Sequence, residues 1–331
     1  MDVSIFHDFD EYTASVQDVD HDMALHRMVR RLWRIWHLDI DGVHIQQGCQ
    51  GSGDITQGQA KTAGYFLYLP LKHAEIQRAN GVALDANTIA ILEPGCEFCL
   101  SSNLDHQWCS VFIPTDQLVG ILPVLAPSPA RCRVVRLPDQ AWNRYRDLIR
   151  GILRAAEIHD QALTAPGGQS ALRHLLSLSS RVIQLGASSN KSPKGRPPVT
   201  RAEIVRRTTA VVEANLNRSL SVGDMASACG VSERTLRNVF MDYYQVAPLR
   251  YFQLQKLHQI HRALRAAEPR DVTVSAVLAQ HGEYEFGRFA QRYRAVFGEL
   301  PSETLATPTS DVSLLSPDHI RDGQCQPLLH Y

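Results

Sequence analysis

The strongest constraint on this chain is an internal repeat within residues 220–305, where one pattern of helices and turns occurs twice. Gly230 corresponds to Gly282, and Pro248 corresponds to Pro301 after one additional residue. Each copy predicts a short apolar helix, a glycine turn, a second helix with core residues four apart, and a proline that begins a new segment. This arrangement is a helix-turn-helix, and two copies joined by one linker favour DNA as the partner.

The first copy carries clear signals for two capped helices. Ser221 and Asp224 predict a capping box, and Gly230 suits the positive φ of the turn. Ser232 is the predicted cap of the second helix, Glu233–Tyr244, whose polar residues near the start face outward where a recognition helix meets base edges. Arginine suits guanine and asparagine suits adenine, each through two hydrogen bonds. The predicted DNA-binding residues of this copy are Ser232, Arg234, Arg237 and Asn238.

The second copy predicts a support helix over Val274–His281 and a recognition helix over Phe286–Phe297. Glu285 is a poor cap, and Phe286 and Gly287 place an aromatic ring and a helix-weakening glycine where polar base contacts are expected. This copy is therefore expected to contact phosphate and DNA shape more than sequence. Its predicted DNA-binding residues are Phe286, Gly287, Arg288, Gln291, Arg292 and Arg294.

A continuous helical pattern over Leu249–Ala267 joins the two copies. About 18 residues at 1.5 Å each make a rod of roughly 27 Å. Such a rod can hold two recognition helices about one DNA turn, roughly 34 Å, apart. Lys256, Arg262 and Arg265 are the nearest positive charges on it.

Charge is distributed unevenly along a chain whose net charge is zero. Residues 1–186 carry 16 basic and 20 acidic side chains, a net charge of −4, whereas residues 187–305 carry 17 and 11, a net charge of +6. This distribution indicates a domain that meets phosphates beside one that does not.

The N-terminal half is expected to be mainly β. A helix is predicted over Met23–Trp36, and short strands are predicted from Trp36 to Pro114, with a bulge or turn at Gly42. Tyr65–Leu71 is an apolar run typical of a strand buried on both faces, and the pair Pro94–Gly95 is a type II turn signal. Seven or eight strands with glycine-bearing turns indicate a sandwich or small barrel.

Two further helices, Gln140–Ile158 and Ser170–Leu185, carry leucine-rich stripes that can either pack on the barrel or form a dimer seam. The polar, basic segment Ala187–Thr200 is a predicted linker, and its Lys191, Lys194 and Arg196 are placed to contact DNA phosphates. The tail Ala306–Tyr331 is expected to be mostly disordered.

The compartment follows from charge and cysteine usage. The acidic N-terminus does not fit a signal peptide, and no apolar run reaches the roughly 18 residues of a membrane span. Seven scattered cysteines without a framework indicate a reducing cytoplasm. Cys96 and Cys99 are the one close pair, and two buried thiols are favoured over a metal or redox role because no second ligand pair follows.

Several motifs in the repeat resemble the AraC/XylS family of bacterial transcription regulators. They are A-x-x-x-G-V-S-x-R-T-L at Ala226–Leu236, P-x-x-Y-F at Pro248–Phe252 and F-G-x-x-P-S at Phe297–Ser302. Residues 287–305 are also similar to the ethanolamine-utilisation regulator group. The resemblance implies a cupin-like ligand-binding and dimerisation domain before a bipartite DNA-binding domain that recruits RNA polymerase to promoter DNA. Departures from the pattern are Gln245 in place of a helix-ending glycine, Glu283 in place of phenylalanine, and Phe286–Gly287.

The sequence therefore predicts an α+β protein with a cupin-like β-barrel and two helices at 1–186, a linker at 187–200, a tandem helix-turn-helix domain at 201–305 and a tail at 306–331. The expected function is that of a ligand-responsive activator in the cytoplasm, without enzymatic activity, cofactor, metal or membrane contact. The expected partners are double-stranded promoter DNA, RNA polymerase, an unidentified small-molecule effector and a second copy in a homodimer. Candidate effector-binding residues are Tyr65, Tyr68, Glu97, His106 and Trp108.

Two alternatives remain at this point. A repressor or other DNA-binding protein whose barrel only dimerises would lack a pocket with converging polar groups. A cupin-type metal enzyme would need a histidine cluster with a carboxylate, whereas His37, His44, His73 and His106 form no H-x-H pair.

Overall fold

A computed structural model describes residues 1–122, 130–158, 166–188, 200–217 and 220–307 of the chain. The strands in these ranges are β1 Asp2–Phe6, β2 Val19–Ile40, β3 Val43–Ala60, β4 Gly64–Pro70, β5 Arg78–Ala79, β6 Val82–Ala83, β7 Thr88–Leu92, β8 Glu97–Ser101, β9 His106–Pro114 and β10 Cys132–Arg136. The helices are α1 Phe9–Ser15, α2 Asp139–Ile158, α3 Pro166–Ser188, α4 Arg201–Ala214, α5 Val222–Cys229, α6 Glu233–Tyr244, α7 Pro248–Arg265, α8 Val274–Gln280, α9 Phe286–Phe297 and α10 Pro301–Ala306. This order confirms the predicted α+β class.

The strands form one antiparallel sheet that curls into a nearly closed barrel. β2 and β3 make a long hairpin whose turn lies at Asp41 and Gly42, both with positive φ, so Gly42 lies in a turn rather than a bulge. β3 then pairs with β9 along its first half and with β8 along its second half. One long strand thus joins the part of the sheet formed by β9, β4, β7 and β10 to the part formed by β8, β5 and β6.

The helix predicted over Met23–Trp36 is wrong, because these residues lie within strand β2. Its pairing with β3 is interrupted by two register shifts, one between Leu25 and Arg27 and one between Met28 and Trp33. Each shift changes which side of the strand faces the core, so the apolar residues lose the simple alternation of a strand. Their spacing imitates a helix, but long-range pairing decides the structure.

The two faces of the barrel wall are both buried, against different partners. On β4, Phe66 and Tyr68 belong to the core inside the barrel, whereas Leu67 and Leu69 pack outward against the cluster that includes α2 and α3. The prediction that Tyr65–Leu71 is a strand buried on both faces is therefore confirmed.

Helices α2 and α3 cover the outer face of the barrel. Ile149 and Ile152 of α2 and Leu175 of α3 are buried in one cluster with strand residues. The Tyr145 hydroxyl lies 2.9 Å from the Ser179 hydroxyl and links the two helices. The apolar stripes of both helices pack within the chain, as the first of the two sequence alternatives expects. Helix α3 also extends two residues into the predicted linker.

The helical half contains the two predicted helix-turn-helix motifs, α5–α6 and α8–α9, joined by α7. Helix α4 was not predicted; its Ile204, Thr208 and Val212 are buried against the first motif. The Thr208 hydroxyl lies 3.0 Å from the Cys229 thiol at the end of α5. Helix α4 therefore packs against α5 and α6 as the third helix of the core of the first motif.

The helical half and the barrel share one hydrophobic core. The hydroxyls of Tyr244 and Tyr251 both donate to Gln57 Oε1 on β3, at 3.2 Å each. Beyond the end of α9, Glu299 forms an ion pair of 2.7 Å with Arg31 on β2. The C-terminal ends of α6 and α9 are thus held against the barrel.

No helix within the described ranges is long and apolar enough to cross a bilayer. The predicted phosphate contacts of Lys191, Lys194 and Arg196 lie outside the described residues, as does the tail beyond residue 307.

Candidate DNA-binding surface and barrel cavity

The first recognition helix, α6, begins with the capping that the sequence predicts. The Ser232 hydroxyl accepts a hydrogen bond from the Thr235 amide at 3.1 Å. The preceding helix has the complete capping box of Ser221 and Asp224, and Gly230 adopts φ of 67° in the turn. These local bonds fix the angle between α5 and α6 and leave the start of α6 in solvent.

The side chains predicted to contact bases all lie on the exposed side of α6. Arg234, Arg237 and Asn238 are exposed, whereas Leu236, Val239 and Phe240 enter the core. The Arg237 guanidinium pairs with Glu233 at 2.8 Å, and both side chains are about half exposed. An exposed pair of this kind contributes little stability, so Arg237 can exchange Glu233 for a base edge at low cost.

The second recognition helix, α9, begins without a side-chain cap. Glu285 occupies the cap position with φ of −91° and ψ of 65° and makes no capping hydrogen bond, which confirms the predicted poor cap. The Glu283 carboxylate pairs with Arg292 at 3.2 Å and with Lys256 at 3.1 Å. The remaining predicted contact residues, Phe286, Gly287, Arg288, Gln291 and Arg294, are exposed.

Both recognition helices therefore present their N-terminal ends to solvent while the barrel holds their C-terminal ends. Two arginines near these ends are paired with glutamates of the same motif: Arg237 with Glu233, and Arg288 with Glu285 at 3.2 Å. DNA phosphates must compete with these carboxylates, and the exposed ones are screened by salt. The geometry supplies two separate, accessible ends of the kind that enter a major groove.

The barrel encloses a small cavity of about 40 Å³. A space of this size holds a few waters or a compact ligand, since one water needs roughly 10–15 Å³ by the same measure. Aromatic rings make up much of its wall, and several polar side chains converge on it. The principal lining residues are Gln50, Asp54, Tyr68, Phe98, His106 and Trp108.

Two acceptor atoms in the cavity wall lack hydrogen-bond partners among the described residues. They are Asp54 Oδ2 and Gln50 Oε1, both on buried side chains. Burial raises the pKa of Asp54 to about 7, although Thr56 donates to its other oxygen at 3.1 Å. Burial lowers the pKa of His106 to about 4, so its ring is neutral near pH 7. Such acceptors require a donor, which ordered water or a ligand can supply.

The structure brings together three of the five predicted effector residues. Tyr68, His106 and Trp108 line the cavity. Tyr65 packs on the opposite face of β4, because neighbouring strand residues point to opposite sides. Glu97 is exposed and lines a separate crevice between β8 and the helical half. Tyr65 and Glu97 therefore do not belong to the group that converges on the cavity.

Sequence reasoning missed Gln50 and Asp54, although a signal was present. Residues 50, 52, 54 and 56 are all polar and recur at every second position. This period places them on one face of a strand, and their burial in β3 shows that the face is the barrel interior. Because residues 50–56 include few apolar side chains, their alternation does not resemble that of an ordinary half-buried strand.

Metal binding finds no support in the described ranges. No group of three histidine, cysteine, aspartate or glutamate side chains lies close enough there to hold a metal ion. His44 pairs with Asp18 at 2.8 Å, whereas His37 lies 3.0 Å from the Ser15 carbonyl and His106 lines the cavity. Cys96 is buried, and burial raises the pKa of its thiol to about 12.

Comparison with known proteins identifies the family. A family model described as a helix-turn-helix domain matches residues 225–307. The XylDLEGF operon transcriptional activator 2 of Pseudomonas putida is 33% identical over 119 residues, which are 36% of this chain and 74% of that protein. The chain belongs to the AraC/XylS family.

As a member of the AraC/XylS family, the chain is a DNA-binding transcription regulator. A second relative, the XylDLEGF operon transcriptional activator of Pseudomonas putida, is 32% identical over 107 residues, and the match spans 32% of this chain and 33% of that protein. Among solved structures, the AraC-like transcriptional activator CuxR aligns with 78% of this chain and 94% of its own, at 13% identity and a TM-score of 0.43.

Proposed function

We propose that this AraC/XylS regulator is a ligand-responsive activator whose residues 201–305 contact two successive major grooves of promoter DNA. In this proposal residues 1–186 form the sensor, residues 187–200 link it to the DNA-binding domain, and residues 306–331 are a tail. The observation that carries the proposal is the pair of recognition helices whose N-terminal ends are exposed while the barrel holds their other ends. Activation is supported by the names of both relatives, and recruitment of RNA polymerase would follow from it.

The proposed base contacts come from Arg234, Arg237 and Asn238 of α6 and from Gln291 of α9. The capped and exposed start of α6 supports its role as the more sequence-specific of the two helices. The proposed phosphate contacts come from Arg288, Arg292 and Arg294 of α9, a helix that starts without a cap. The remaining members of the proposed surface are Ser232, Phe286 and Gly287.

Responsiveness to a ligand is supported by one residue that belongs to both the cavity and the first motif. Ser101 lines the barrel cavity, and its hydroxyl donates to the carbonyl oxygen of Tyr243 at 2.7 Å. Its own carbonyl accepts from Gln245 Nε2 at 3.2 Å. A ligand that moves this part of the wall would therefore move the end of α6. Tyr68, His106 and Trp108 are the proposed effector contacts in the same cavity.

The test uses the full chain. Duplexes that the protein retains are selected from a random-sequence pool, and affinity for the enriched sequence and for a scrambled one is measured over a salt series. We expect one enriched sequence with two boxes about one helical turn apart, and affinity that falls steeply with salt. A pool without any enriched sequence after repeated selection would refute the proposal. Transcription with purified RNA polymerase from a promoter bearing that sequence then separates an activator from a repressor.

A further inference from the structure

The start of α9 carries exposed aromatic surface. Tyr284 is 74% exposed and Phe286 is 43% exposed. Within the described ranges these are the two phenylalanine, tyrosine or tryptophan side chains that are more than about a third exposed. Neighbouring exposed apolar side chains on a soluble surface commonly mark a site of contact with a partner.

Gly287, directly after Phe286, has no role in the internal packing of the protein. A Cβ atom added there would meet no other atom within 4 Å, and its φ lies outside the left-handed region. Glycine within a helix weakens it relative to alanine, so this residue costs stability without a structural return. No internal contact within the described ranges requires glycine at this position. Its lack of a side chain instead leaves room for another molecule to approach the backbone closely.

Phe286 borders a shallow groove together with Leu278, Ala290 and Leu300, and 43% of its surface is exposed. Its ring therefore adds apolar surface to this groove at the start of α9, where an apolar group of a partner can pack against it.

The corresponding end of α6 is different in chemistry. There the cap is Ser232, and the exposed side chains that follow include Glu233 and Arg234. Hydrogen-bonding side chains recognise the polar edges of bases, whereas apolar side chains recognise the C5-methyl group of thymine in the major groove. The two recognition helices therefore differ in the kind of base edge that they fit.

We propose that Tyr284 and Phe286 contact thymine methyl groups in the major groove, and that Gly287 lets this base edge approach the backbone of α9. The inference rests on the proposed DNA-binding function and specifies how its second half works. Tyr284 is an additional specificity residue, and the second box of the binding site contains thymines whose methyl groups contribute affinity.

The experiment removes the methyl groups from the DNA. Each thymine of the selected duplex is replaced singly by deoxyuridine, and affinity is measured with the full chain. We expect a loss of about fourfold for each contacted thymine, the value of one buried methyl group. The losses should be confined to the box that α9 contacts, which is the box whose base preference is unchanged by Arg237→Ala. The double variant Tyr284→Ala/Phe286→Ala should bind thymine and deoxyuridine duplexes equally, whereas Ile158→Ala, which changes an exposed residue of α2, should retain the preference.

Gly287→Ala gives a second test, with effects of opposite sign. The added methyl group should raise the melting temperature, as alanine favours a helix, yet lower the affinity for the selected duplex at least fivefold by blocking the approach. Gly151→Ala is the matched control, because Gly151 also lies within a helix and its added Cβ also meets no atom within 4 Å. It should raise the melting temperature and leave affinity unchanged.

The outcomes separate this inference from the proposed function. Specific binding that is unaffected by deoxyuridine in both boxes would overturn the thymine contact and leave the proposed function intact. Unchanged affinity of Phe286→Ala together with reduced transcription would also overturn it, and would assign the aromatic surface to RNA polymerase. Absence of specific binding by the unaltered chain would instead refute the proposed function itself.

Discussion

Gln245 ends the first recognition helix in the left-handed conformation, with φ of 58°. A side chain in this conformation costs of order 1 kcal/mol, and the family resemblance implies glycine at this position. The cost is offset by the side-chain amide, which donates to the carbonyl oxygens of Ile76 at 2.8 Å and Ser101 at 3.2 Å. Gln245, which departs from the family pattern, thus forms a contact between the first motif and the barrel.

The contribution of Gln245 can be separated into its two parts by substitution. Gln245→Ala keeps the strained conformation and loses both hydrogen bonds, so we expect a loss of about 1–3 kcal/mol in the free energy of unfolding. Gln245→Gly loses the same bonds but relieves the strain, so it should recover about 1 kcal/mol of that loss. Urea denaturation measures both values, and equal stability of Gln245→Ala and the unaltered chain would show that the amide contributes nothing.

The two recognition helices share one topology but differ in how they begin. Helix α6 starts with a serine cap, whereas α9 starts at Glu285 without a capping bond. Capping fixes the first turn, and the first turn carries the base-contacting side chains. At this scale the structure therefore supports α6 as the helix with the better-defined hydrogen-bonding surface.

This difference predicts distinct effects of two arginine substitutions. Arg237→Ala should lower affinity for the selected duplex by about 1–3 kcal/mol and relax the preference for one base pair, since a bidentate base contact is lost. Arg294→Ala should weaken binding to all sequences alike and reduce the dependence on salt, as expected for a phosphate contact. Affinities for selected and scrambled duplexes over a salt series distinguish the two. Equal losses on every sequence for Arg237→Ala would contradict its base-contacting role.

The whole molecule is held together by a core that crosses from the barrel into the helical half. His258 of α7 is buried in that core, and its ring nitrogen Nε2 lies 3.1 Å from the carbonyl oxygen of Leu25 on β2. Burial lowers the pKa of His258 to about 4, below the usual value near 6.5. The joint between the two halves therefore contains a histidine that must remain neutral.

The stability of the molecule should consequently depend on pH through His258. The unfolded chain takes up a proton as the pH falls through about 6.5, but the folded chain does so only near 4, so stability is lost over this interval. Between pH 7.5 and pH 5 the contribution amounts to about 2 kcal/mol. Urea denaturation of His258→Gln should show a smaller loss over the same range than the unaltered chain. Identical losses of unfolding free energy in the two proteins would mean that protonation of His258 does not destabilise the contact between the barrel and the helical half.

The helix-turn-helix motifs could be predicted from the sequence because their signals are local. The Ser221 cap bonds to an amide three residues away, and the boundaries of α6 and α9 agree with the predicted ones. Strand β2 could not be predicted, because its partner residues on β3 lie up to about 40 positions away and its bulges disguise the alternation. The cavity could be predicted only in part. Asp54 and Tyr68 line it together because the barrel closes, and no local sequence signal indicates that closure.

The sequence by itself determined the repeated motif, the caps and the outward direction of Arg234, Arg237 and Asn238, because helix periodicity and capping act within a few residues. Only the tertiary structure decided that the barrel holds the ends of both recognition helices, and that Ser101 belongs at once to the cavity and to the first motif. The contact between Gln57 and Tyr251 joins residues almost 200 positions apart. Such contacts depend on how two folded halves fit together, and no local pattern encodes that fit.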